Sequence, residues 1–287
     1  MAVIGTTAKT ATQGASSLAS SMGKVTFGGA LRSELTKIRS VRSTRWTLLA
    51  MVALTVGLGA ISSYSQTKTH HNLYFDPTSW SLGGLWLTQL LVGVVGTLVI
   101  TSEYSTGMIR TSLTALPRRG LLMAGKVGVL AAVTFVAGLI ASFAAFFVGQ
   151  AVMSSHHINT TIGHLGVARA VIGGSLYLTV GGLLALGIGL LVRHTAAAVS
   201  ATVAVLFLLP VAGNLLPHSW QDHVDKWLPT AAGAQIWTVN HAPHLNPASP
   251  IGASGPMLSS WAGFAVFCGY AAVALGAGLL LFRRRDA

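Results

Sequence analysis

Charge is scarce in this sequence: Asp, Glu, Lys and Arg make up 8% of its 287 residues, against about 25% in soluble domains. With 52% of residues apolar, a soluble fold could not solvate its own surface, so the question becomes one of crossing a bilayer. A single cysteine, Cys268, lies inside an apolar run. One chain therefore builds neither a disulfide framework nor a thiolate zinc site, and Cys268 reads as a small buried hydrophobe. Acidic residues number 6 against 18 Lys and Arg, a formal charge of +12. That balance would suggest nucleic acid on a soluble protein, but no basic face is interleaved with aromatics for stacking bases, and nucleic acid is set aside. The bases cluster instead at the ends of apolar runs, where they meet anionic lipid headgroups. Residues 1–28 are rich in Ala, Ser, Thr and Gly without an apolar central stretch. They read as a mobile cytoplasmic tail rather than a cleavable signal peptide. No internal repeat is visible, which weakens inverted-repeat transporter folds.

What is present is a series of long apolar runs. A hydrocarbon core about 30 Å thick needs roughly 20 mostly apolar residues in a helix, and six stretches qualify: Trp46 to Tyr64, Leu82 to Thr101, Val127 to Met153, Val167 to Val192, Thr195 to Leu216 and Ser260 to Phe282. Between the fourth and fifth only Arg193 and His194 intervene. A charged residue there costs several kcal/mol in mid-bilayer, so a tight cytoplasmic turn is expected. With the N-terminus inside, only Lys68, Arg169 and Lys226 of the 18 Lys and Arg fall outside, the bias that cytoplasmic retention of bases produces. Both termini are then cytoplasmic. Trp46, Tyr64, Trp80, Trp220, Trp227 and Trp261 fall near the span ends as an aromatic belt would. Ahead of the first span, Leu31, Leu35 and Ile38 recur at helical spacing among charged residues, predicting an amphipathic helix in the headgroup plane. The fold class expected is an all-α membrane protein with residues 29–287 as one transmembrane domain. Glycines within the spans, among them Gly96, Gly173, Gly187 and Gly276, predict close helix packing.

The spans lack the usual chemistry of ion-driven carriers, since none has a carboxylate, His or Lys in its middle. Their notable polar side chains, Gln89, Gln150 and Asn214, suit hydrogen bonds between helices. Gly120, Gly125 and Lys126 match part of a phosphate-binding loop, but Val127 stands where magnesium needs a hydroxyl. Nine of the 10 histidines, all but His194, fall outside, in pairs such as His70 with His71 and His156 with His157. A metal site needs converging ligands, and Pro243 between His241 and His244 breaks the helical face that would align them. Asp222 and Asp225 flank His223 without a positioned nucleophile. No catalytic, cofactor-binding or metal site is assigned to this chain.

More informative is the connection between the second and third spans, Thr101-Ser102-Glu103-Tyr104-Ser105-Thr106-Gly107-Met108-Ile109-Arg110, continuing to Leu116-Pro117-Arg118-Arg119. Its Glu-Tyr, Thr-Gly, Ile-Arg, Pro-Arg-Arg order resembles the permease subunits of type-two ABC exporters, in particular short actinobacterial members. The same resemblance is carried by Arg32 to Ser40 running into Trp46-Thr47-Leu48-Leu49, by Trp227-Leu228-Pro229-Thr230-Ala231-Ala232-Gly233, and by Arg283 to Ala287. Leu35, where relatives often have Trp, and Arg45 at the entry to the first span depart from the pattern.

The resemblance implies a permease of the bacterial plasma membrane that pairs with itself or a similar chain and binds two copies of a separate ATPase, which would hold ATP and magnesium. It also implies a short coupling helix between Glu103 and Arg119, a connecting helix around Arg32 to Arg39, and external re-entrant helices around Trp220 to Trp237. The residues it assigns to ATPase coupling are Glu34, Glu103, Tyr104, Thr106, Gly107, Arg110, Arg118 and Arg119. In the residues themselves Gly107 permits a sharp turn and Glu103 can cap a helix or pair with a base. The same spans would also serve a non-transporting immunity or scaffold protein. A translocation path of apolar and small residues carries no readable substrate code.

Overall fold

The computed structural model describes residues 28, 29, 36, 42–68, 75–108, 119–213, 215, 217, 223–239 and 258–285. Among them the chain is helical: α1 (Arg42–Gln66), α2 (Pro77–Ser81), α3 (Leu85–Ser105), α4 (Arg119–Ser154), α5 (Val167–Val192), α6 (Thr195–Val203), a π-helical turn (Ala204–Leu208), α7 (Leu209–Gly213), α8 (Pro229–Ala234) and α9 (Ser260–Arg285). One-turn 3₁₀ segments at Asp225–Trp227 and Gln235–Trp237 flank α8. Six helices are long and apolar enough to cross a membrane, α6 through α7 forming one of them. The expected amphipathic helix ahead of α1 lies largely outside the described residues, as do Asn214 and Trp220.

The span boundaries differ most from those expected at the end of the second span and the start of the third. Residues Thr101 to Ser105 continue α3 rather than opening a loop, because their hydroxyls are satisfied within the helix. Thr101 donates to the Thr97 carbonyl at 3.0 Å and Ser102 to the Leu98 carbonyl at 2.6 Å. The third span begins at Arg119 rather than Val127. At 36 residues α4 is about 54 Å long, well beyond a bilayer core. Gly120, Gly125 and Lys126 are therefore helical, which removes the phosphate-loop geometry. Between the fourth and fifth spans the expected tight turn is present. Arg193 closes α5 in the left-handed region (φ 60°), and extended His194 caps α6 through its Nδ1.

The fourth span, α5, is the most enclosed and the sixth, α9, the least. Small residues bring backbones together around α5. A side chain at Gly96 of α3 would collide with the Gly182 carbonyl, and one at Gly187 would meet the Ala274 backbone of α9 at 2.7 Å. Gly173 lies as closely against Ile236, whereas Gly276 meets nothing within 4 Å. The Gly96 contact predicts that Gly96→Val forces α3 and α5 apart. Overpacking of this kind costs about 1–3 kcal/mol, so thermal unfolding in detergent shows a lower apparent Tm, whereas Gly276→Val leaves it near wild type.

Candidate functional site

Two polar clusters hold the ends of the bundle. At the end where α3 and α5 finish and α4 begins, Glu103 accepts from Lys126 Nζ at 2.5 Å. Both are buried, with side chains 8% and 1% exposed. Lys126 lies seven residues into α4, so its ammonium reaches this depth only because a carboxylate meets it there; an isolated charge would be costly. Next to Glu103, Tyr104 presents its ring to the Arg193 guanidinium at 5.3 Å from the centroid, a cation–π contact. Arg193 also donates to the Leu281 carbonyl of α9 at 3.2 Å. Four helices, α3, α4, α5 and α9, are thus tied through Glu103, Tyr104, Lys126 and Arg193.

Just past this cluster α3 stops. Thr106 caps it, and Gly107 takes φ +70°, its amide donating to the Tyr104 carbonyl at 3.3 Å. A left-handed residue after a helix end is the position where glycine avoids a Cβ penalty. Gly107 thus takes the left-handed conformation that permits a sharp turn. Thr106 donates its hydroxyl to the Ser102 carbonyl at 2.7 Å and is exposed, as are Gly107 and Met108. Of the other residues assigned to coupling, Glu34, Arg110 and Arg118 lie outside the described residues. Arg119 is the first residue of α4.

At the opposite end Asp76 organises a second cluster. Its carboxylate caps α2 by accepting the Thr78 amide at 3.0 Å, accepts the Ser79 hydroxyl, and accepts the Val239 amide at 2.9 Å. Arg169 of α5 donates to the carbonyls of Ile236 and Thr238, each at 2.8 Å. Gln150 bridges α4 to this end, donating to the Ser81 hydroxyl at 2.9 Å and accepting the Thr160 amide at 2.7 Å. Gln89 likewise bonds between helices, accepting from Tyr177 at 2.5 Å. Both glutamines play the interhelical role expected of them. His156, His157 and His164 lie near this end, and no group of metal-ligating side chains converges among the described residues.

Sequence reasoning weighed Lys126 only within a phosphate-loop match and Arg169 only as an external base, and passed over Asp76, although a signal for their structural role existed. Each is a charge next to or inside an apolar run, where an ion needs a partner, and Glu103 is the one carboxylate between the second and third runs.

Six apolar helices clamped at both ends by buried polar contacts define a multi-pass membrane protein, one whose interior is built for packing. Within that class the assignment is specific. The chain belongs to the ABC-2 transporter permeases: the family model described as ABC-2 family transporter protein matches residues 30–211. A search of the curated proteins finds no match.

Proposed function

We propose that this chain is the permease subunit of an ATP-driven exporter, forming the translocation path and taking its energy from a separate ATPase. The observation that carries the reading is the Glu103–Lys126 pair. It joins the last turn of α3 to the start of α4 at the two ends of the connection through 109–118. A push on that connection is delivered to two spans at once, and through Tyr104 and Arg193 to α5 and α9 as well. Family membership supports it, since ABC-2 permeases generally work with an ABC ATPase.

In this reading Thr106, Gly107, Arg110, Arg118 and Arg119 face the ATPase, and Glu103 and Tyr104 hold their platform in place. Glu34 belongs to a connecting helix beside the same partner. ATP and magnesium reside in that partner, present in two copies, and a second permease chain completes the path. Both termini are cytoplasmic, residues 29–287 form one permease domain after a tail of 1–28, and the Asp225 to Trp237 segment caps the outer face. The purified chain alone is expected to hydrolyse no ATP above background, and vesicles containing it with its ATPase are expected to move cargo only when ATP is supplied. Cargo movement driven by a proton gradient without ATP would contradict the proposal.

A further inference from the structure

Among the described residues, the fifth span is the one crossing helix whose regular winding is interrupted in mid-course. Residues Ala204–Leu208 form a π-helical turn, with the Leu209 amide bonded to the Ala204 carbonyl, and Pro210 follows at once. Both features are recognised causes of helix bending. Pro210 has no N–H, so the residue four ahead of Leu206 brings no donor to its carbonyl. Another span supplies one. Gln89 Nε2 of α3 donates to the Leu206 carbonyl at 3.4 Å. The Gln89 amide is in turn oriented by Tyr177 of α5, whose hydroxyl donates to Oε1 at 2.5 Å. Gln89, Tyr177 and Leu206 are almost fully buried, and the Tyr177 ring is fixed by Phe267 and Trp237 at 5.4 and 6.4 Å.

The two flanks of the interruption are anchored differently. On one side α6 follows the tight Arg193–His194 turn and packs against α3, where a side chain at Gly93 would meet the Thr202 methyl at 2.9 Å. On the other side α7 ends at Gly213, which lies against the Asp225 carboxylate and Leu228, a Cβ there meeting them at 2.7 and 2.9 Å. The far flank of the interruption therefore packs directly on the 225–239 segment, itself held closely to α5 and α9 through Gly173 and Gly233.

We infer that Ala204–Pro210 is a hinge in the fifth span and that Gln89, positioned by Tyr177, is the latch that holds it against the second span. Release of the latch lets α7 swing and shifts the cap segment at the mouth of the bundle. A single long hydrogen bond is suited to this, because it reaches a carbonyl to which residue 210 brings no N–H and is weak enough to exchange. The inference does not depend on the ATPase reading and is tested on the full-length chain alone.

The test is hydrogen–deuterium exchange of that chain in detergent micelles, read by mass spectrometry of its peptides. Gln89→Leu and Tyr177→Phe are each expected to raise exchange across 204–213 by about tenfold, with α5 and α9 unchanged, as local opening rather than global unfolding requires. Adding Pro210→Ala to Gln89→Leu restores a backbone donor for Leu206 and is expected to return exchange to near the wild-type rate. Tyr177→Phe keeps the ring volume and carries the same comparison if Gln89→Leu fails to fold. Unchanged exchange at 204–213, a rise spread evenly over all the spans, or no recovery on adding Pro210→Ala would overturn the latch.

Discussion

Reversing Glu103 to arginine is expected to abolish export and to lower the apparent Tm in detergent by about 10 °C. The carboxylate is buried and sits 2.5 Å from Lys126 Nζ, so Glu103→Arg sets two cations against each other where water cannot screen them. Removing one partner of a buried pair costs about 3–5 kcal/mol, because the other charge stays buried without compensation. The double reversal, Glu103→Lys with Lys126→Glu, restores opposite charges at the same place and is expected to recover most of the lost stability. If the single reversal unfolds at the wild-type temperature, the pair does not hold α3 to α4.

Gly107→Pro tests the other half of the platform. Proline fixes φ near −65°, whereas residue 107 sits at +70°, so the turn that ends α3 cannot form. The amide that bonds the Tyr104 carbonyl is lost with it. Among the described residues nothing lies within 4 Å of a Cβ at this position, so the damage expected is to the backbone turn rather than to packing. Export is therefore expected to fall at least tenfold while the apparent Tm stays within a few degrees of wild type. Gly107→Ala, strained by about 1–2 kcal/mol through its positive φ alone, is expected to fall between the two. Wild-type export by Gly107→Pro would remove this turn from the coupling path.

The two variants separate stability from coupling. The first removes what Glu103 holds together, and the second the left-handed conformation of residue 107. That separation also shows what the sequence could convey. The six spans were legible because length and the scarcity of charge are enough to mark a crossing helix, and all six are present. The tight turn at Arg193 and His194 was legible because two polar residues between apolar runs have few places to go. Helix ends were less legible. Glu103 and Lys126 read as loop and flank residues until the structure pairs them, and pairing across 23 positions depends on how α3 and α4 lie side by side.

The same holds at the other end of the bundle. Asp76 joins the Val239 amide across 163 positions, a contact that no local pattern announces. Gln89 and Gln150 were recognisable as interhelical glue because an amide in an apolar run needs partners somewhere. Which partners could not be read, since the Leu206 carbonyl that receives the Gln89 amide lies 117 positions away on another span. Local chemistry marks the groups that need satisfying, and helix packing decides how they are satisfied.

In the function proposed for it, this permease receives its energy from a separate ATPase docked at the connection between α3 and α4. Pull-down of the chain from native membranes, followed by mass spectrometry, tests it most directly. A P-loop ATPase is expected to co-purify with the wild-type chain and to be lost with Gly107→Pro. Recovery of the intact wild-type chain without any ATPase, or equal recovery of the ATPase with both chains, would contradict the account.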